Sequence, residues 1–214
     1  NIFLSYKTNN KIEQTLIDIS EMLDLDLFNK ANEQISKILG AERKPFANNF
    51  SDLKKNYNIF YMAPISLNEI KERKLLFDAC ISSTALEHFS KKDLEETFTV
   101  LKKIVKENGI ISALIDYSDH YSHTDKKIDD LNFLQFNDVE WKKYNNSFLF
   151  QNRLRHQDYR DLFRKMNYEI VNEEKGNYGK KPEFISNKFS SHNKETFLVW
   201  GHFLLKVKNN QMNY

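Results

Sequence analysis

Residues 110–116 read IISALID, a run in which apolar side chains take both alternating sets of positions. Successive strand side chains point to opposite faces, so such a run needs cover on both sides, as strands of a parallel sheet have between layers of helices. Similar runs stand upstream: QTLIDI at 14–19, NIFYMA at 58–63 and LFDACIS at 76–82. Helix-periodic segments lie between them. In 21–39, Met22, Leu25, Phe28, Ala31, Ile35 and Leu39 fall on one face, and Gly40 stands where a helix stops. A short polar helix is expected at 66–74. Leu94, Phe98, Leu101 and Val105 predict a helix over 92–106, closed by Asn108 and Gly109.

The region 117–150 is polar and aromatic, with a short helix expected near 138–143. Tyr159, Leu162, Phe163 and Met166 predict a helix over 156–166, followed by the strand YEIVNEE. ETFLVWGHFLLKVK at 195–208 reads as a long last strand that Gly201 bends or bulges. Parallel neighbours need helical crossovers, whereas the last two strands have no helix between them. The pattern predicts an α/β fold: a mostly parallel twisted sheet, helices on both faces and an antiparallel C-terminal strand pair. Ligands in such sheets bind beyond the carboxyl ends of the strands.

At 214 residues the chain fits a single domain. Its 32 basic and 30 acidic side chains leave a net charge of +2, which argues against a broad basic face for nucleic acid. No apolar run reaches the length of a membrane span. The one cysteine, Cys80, sits in an apolar run without a disulfide partner, which favours a reducing, cytoplasmic setting.

Three strand ends are informative together: IDIS at 17–20, SSTALEH at 82–88 and IDYSDH at 115–120. With FDACISSTALEHF, the helix LEETFTVLKKIVKENG and the terminal LFRKMNYEIVNEE, the chain resembles the class I S-adenosylmethionine-dependent methyltransferases, of Rossmann-like fold, from their second strand to their seventh. The resemblance covers nearly the whole chain. It departs from the family in lacking the first strand and the glycine-rich cofactor loop, since the glycines at 40, 109, 176, 179 and 201 lie elsewhere. On this reading residues 1–214 are one N-terminally incomplete methyltransferase-like domain, with 117–155 as an insertion or lid.

The resemblance implies S-adenosylmethionine as cofactor and methyl transfer to an oxygen or nitrogen of a small-molecule acceptor. Asp18 takes the position of the acid that accepts bonds from ribose hydroxyls, and Ile19 that of the apolar wall against adenine. Ala63 stands where the adenine amine is met, although Pro64 follows it in place of an acid. Ser82 and Ser83 open the middle strand to the methionine part, and they also suit a helix cap. His88, Asp119 and His120 are the candidates for proton transfer, and Arg153 and Arg155 for holding a polar or anionic acceptor. Asp116, Asp119, His120, His123 and Asp125 contain suitable metal-ligand types, but such groups in polar loops are usually solvated and no metal is expected. A non-catalytic module that binds a protein partner and an RNA methyltransferase are the alternatives. Oligomeric state is not legible.

Overall fold

The computed structural model describes residues 1–147, 149–190 and 193–208. In order, the elements are α1 (Ile2–Lys7), β1 (Gln14–Ile17), α2 (Leu25–Leu39), α3 (Phe50–Tyr57), β2 (Ile59–Met62), α4 (Leu67–Glu72), β3 (Phe77–Ser83), α5 (Lys91–Ile104) and β4 (Val105–Asp116). There follow α6 (Asp138–Trp141), α7 (His156–Lys165), β5 (Tyr168–Lys175), α8 (Asn187–Ser190) and β6 (Trp200–Val207), with single 3-10 turns at 86–88, 120–123, 132–135 and 194–197. The chain divides into two compact units, Asn1–Ile70 and Lys71–Tyr214. No helix among the described residues is long and apolar enough to cross a membrane.

In the first unit β1 and β2 pair in parallel, Gln14 with Ile59 through Ile17 with Met62. The Asp24 side chain caps α2 by accepting from the amides of Asp26 and Leu27, so Met22 lies before the helix, and Gly40 ends it in the left-handed region at φ 58°. α3 was not expected. Its signal is local: Asn49 accepts from the Asp52 amide, and Leu53 and Tyr57, one turn apart, are both fully buried. They pack with Ile2, Phe28, Ala47 and Ile59.

The second unit holds a four-stranded sheet in the order β3-β4-β6-β5. β3 and β4 are parallel, and β4–β6 and β6–β5 are antiparallel, so the C-terminal pair forms as expected. On β4, Ile111, Ala113 and Ile115 are buried, while Ser112, Leu114 and Asp116 are half-buried. The buried side chains join Phe98, Tyr159, Phe163, Phe203 and Leu205 in the main core.

The last strand begins at Trp200, after the 3-10 turn at 194–197, rather than at Glu195, and two further expectations are corrected. The helix α5, opened by a reciprocal Ser90–Asp93 cap, ends at Ile104 and passes straight into β4. Gly109 therefore closes no helix; it lies within β4, where a Cβ would come 2.9 Å from the Asp78 carbonyl. Gly201 makes no bulge either, because it stays in register between Ile115 and Lys175. Its lack of a side chain admits His156, whose ring would collide with a Cβ there. The irregularity falls on β5, between Ile170 and Asn172.

Arg155, at the start of α7, is fully buried. Its guanidinium donates to the carbonyls of Thr196 (2.8 Å) and Tyr117 (2.7 Å) and to that of Leu198, and it stacks 5.3 Å from the Tyr117 ring. Burial lowers its pKa to about 10, so it stays charged at neutral pH. Replacing it by Met strands these carbonyls, and each buried orphan costs about 1–3 kcal/mol. Arg155→Met should therefore lower the urea midpoint by the equivalent of about 3 kcal/mol or more, whereas an unchanged midpoint would contradict this role.

Candidate functional site

The carboxyl ends of β3 and β4 lie side by side, with Ser82 opposite Ala113 and Ser83 opposite Leu114. The ladder runs one step further, the Thr84 amide donating to the Leu114 carbonyl at 2.9 Å. Thr84 then turns the chain at φ 48°, a left-handed conformation costly for a β-branched residue. This turn leads into the 3-10 segment Leu86–His88. At the ends of both strands lies a cleft of about 470 Å³, lined among others by Thr84, Leu114, Asp116, Ser118 and Trp200. That volume lies in the range of small-molecule sites.

Next to Asp116, at the wall of the cleft, side chains from two turns gather. The His88 and His120 rings are 4.9 Å apart, and His120 stacks on His123 at 5.1 Å. Asp116 Oδ2 stands 3.7 Å from Nε2 of both His120 and His123. Glu87 is buried beside them at 2% exposure. Segment 150–152 clamps the first turn: the Phe150 carbonyl meets His88 Nδ1 at 2.9 Å, and Asn152 donates to the carbonyls of Leu86 and Phe89. Gln151 holds the second, donating to the Ser118 carbonyl and accepting the His120 amide at 3.4 Å. Glu87, Gln151 and Asn152 had no assigned role in the sequence reading. Their roles depend on turns beyond the ends of β3 and β4 that meet only in the folded chain.

Burial pushes the Glu87 carboxyl up to about 7; the amides of Glu87 and Asp116 oppose this without reaching hydrogen-bonding geometry. Burial likewise holds His120 below the usual imidazole value, with Asp116 pulling it back, so its neutral form prevails at pH 7. Cys80 is raised to about 11 by burial and is a thiol, not a nucleophile, at neutral pH.

The remaining sequence candidates are placed differently. Asp119 is fully buried and turned to its own loop, accepting from the Tyr121 amide (3.0 Å) and Asn132 (3.2 Å). It shapes the turn rather than meeting an acceptor. Arg153 is also buried, its guanidinium bound to the carbonyls of Phe133 and Phe136 and to Asp138 at 2.8 Å. With Arg155 held as described, neither guanidinium is presented to an acceptor, which corrects that expectation. Ser82 is half-buried and Ser83 exposed, both inside β3 rather than capping a helix. In the first unit, Asp18 follows β1 and ties its end to β2, its amide donating to the Met62 carbonyl (3.1 Å) and its carbonyl accepting the Ile65 amide (3.0 Å). Ile19 is 78% exposed, and Ala63, just past β2, is half-buried.

The buried Glu87 gives a pH signature. Its folded pKa of about 7 lies above the ordinary 4.5, so the native state binds the extra proton and the associated stability is lost as pH rises from 4.5 through 7. In EDTA-containing buffer, Glu87→Gln should change stability little near pH 4.5 and raise it by about 1–3 kcal/mol at pH 8. A variant less stable than the parent at pH 8 would contradict this.

No protein-family model matches the chain, and no curated protein matches it. Solved structures do. The PH0226 protein of Pyrococcus horikoshii OT3 aligns with a TM-score of 0.50 at 15% identity, over 96% of this chain and 76% of that one. A SAM-dependent methyltransferase from Archaeoglobus fulgidus aligns at 0.46 and 14% identity, over 95% and 90%. The Burkholderia thailandensis 1,6-didemethyltoxoflavin-N1-methyltransferase, solved with 1,6-didemethyltoxoflavin and S-adenosylhomocysteine, aligns at 0.45 and 9% identity, over 97% and 77%. At these identities the likeness is one of fold, and that fold is the Rossmann-like α/β arrangement with an antiparallel C-terminal strand pair.

Proposed function

We propose that the protein is a methyltransferase that uses S-adenosylmethionine to methylate an oxygen or nitrogen atom of a small molecule. The observation that carries this reading is the cleft at the carboxyl ends of β3 and β4, where Asp116 at its wall approaches His120 and His120 lies against His88. Strand ends are where such sheets hold ligands. The balanced charge of the chain suits a small acceptor better than a polyanion.

The residues present fit a nucleoside cofactor. The Asp18 carboxylate holds the Ser20 amide only loosely, at 3.4 Å, which leaves acceptor sites for a ribose diol. The exposed Ile19 supplies apolar surface for adenine, and the backbone at Ala63 is the candidate for its amine. The cofactor supplies a methyl group already activated on a sulfonium. The chain's own task is then to align the acceptor, exclude water and take up any proton the acceptor loses. With no metal ion bound, His120 is suited to the last step because burial keeps its imidazole neutral. His88, braced through Nδ1, is the second candidate.

Calorimetric titration of the protein with S-adenosylmethionine tests the reading. Saturable binding is expected, weakened roughly tenfold or more in Asp18→Ala through loss of charge-assisted hydrogen bonds. Absence of binding would overturn the proposal. With an acceptor in hand, His120→Ala should lower turnover by about 10²-fold or more while cofactor affinity stays within about twofold.

A further inference from the structure

We propose that Glu87, His88 and His120 form a binding site for a divalent transition-metal ion, with Zn²⁺ as its best-suited occupant. One ligand atom from each, a carboxylate oxygen and two imidazole nitrogens, lies within 4.8 Å of the others. The independent sign is Glu87 itself. Its side chain is 98% removed from solvent, yet among the described residues neither carboxylate oxygen has a hydrogen-bond partner. Buried carboxylates are ordinarily bonded, paired or bound to metal, because an orphaned one is costly. This one is aimed at two imidazoles.

The surroundings have the form of a ligand shell. His88 Nδ1 stands 2.9 Å from the Phe150 carbonyl, an acceptor only, so Nδ1 carries the hydrogen and Nε2 keeps its lone pair free to ligate. Asp116, 3.7 Å from His120 Nε2, adds negative charge next to the set. His88 is exposed, which gives an ion a path in. Two imidazoles and one carboxylate match zinc and its neighbours better than Mg²⁺ or Ca²⁺, which favour all-oxygen shells. Zinc bound at about 2.1 Å from each atom needs its ligands about 3.4 Å apart, so the side chains draw in by about an ångström or less, and a fourth position is left for water or a ligand oxygen. The sequence expectation of no metal weighed the groups of one polar loop. The set that converges takes its carboxylate and one imidazole from the other turn.

Titration of the EDTA-stripped full chain with Zn²⁺ and, separately, Mg²⁺ tests the site without S-adenosylmethionine, so failure of the methyltransferase reading leaves it standing. One zinc per chain is expected, with magnesium at least tenfold weaker. His88→Gln, at an exposed position, and Glu87→Gln, nearly isosteric, should each weaken zinc at least tenfold while unfolding cooperatively, and His202→Asn should not. An anomalous diffraction peak at the zinc edge should fall between the three side chains. Zinc affinity unchanged in both Glu87→Gln and His88→Gln, or a peak at another histidine, would overturn the proposal.

Discussion

One fully buried cation, Arg155, organises the second unit. The Arg155 guanidinium reaches the Tyr117 carbonyl just past β4 and the Thr196 and Leu198 carbonyls just before β6, while the Arg155 amide is held by Asp158 at 2.7 Å. A charge removed from water this completely persists only when its hydrogens are taken up. Carbonyl oxygens do this here, with the Tyr117 ring face at 5.3 Å and that of Phe133 at 5.4 Å. The carboxyl end of β4 is thus fixed to the start of α7. Asp116, Ser118 and His120 leave the sheet from that fixed end.

The other half of the site depends on register. The β3–β4 ladder runs one step beyond Ser83, and Thr84 accepts a strained turn there that sends the chain into Leu86–His88. Asn152 then holds the turn by its carbonyls, and Gln151 does the same for the loop after β4. Both turns therefore hang on one three-residue segment, which explains how imidazoles from separate loops come to lie 4.9 Å apart. Their setting is neither dry core nor open solvent: Glu87 is buried, His120 half-buried and His88 exposed. That gradient suits a site that admits a ligand while holding one ionisable group out of water.

Much of this was legible in the sequence. The apolar run at 110–116 marked the central strand of the second unit, and helical periodicity placed α2, α5 and α7; β5 and β6 pair antiparallel as expected, although the one-turn α8, which was not expected, lies between them. What was missed has a common physical cause. The partners of Arg153 and Arg155 are largely backbone carbonyls, which every residue carries and no sequence pattern announces. The end of α5 was misplaced because Gly109, an ordinary helix terminator, is needed instead where β4 passes the Asp78 carbonyl. Glu87 carried no assigned role in the sequence, because its nearness to His120 arises only where the turns after β3 and β4 meet.

The central claim is that the chain holds S-adenosylmethionine and presents its methyl group. It is tested most directly by NMR of the cofactor carrying ¹³C at that methyl. Adding the protein should shift and broaden the methyl resonance saturably, and Asp18→Ala should restore most of the free signal at the same concentrations. A methyl resonance that stays sharp and unmoved at an excess of protein would contradict the account.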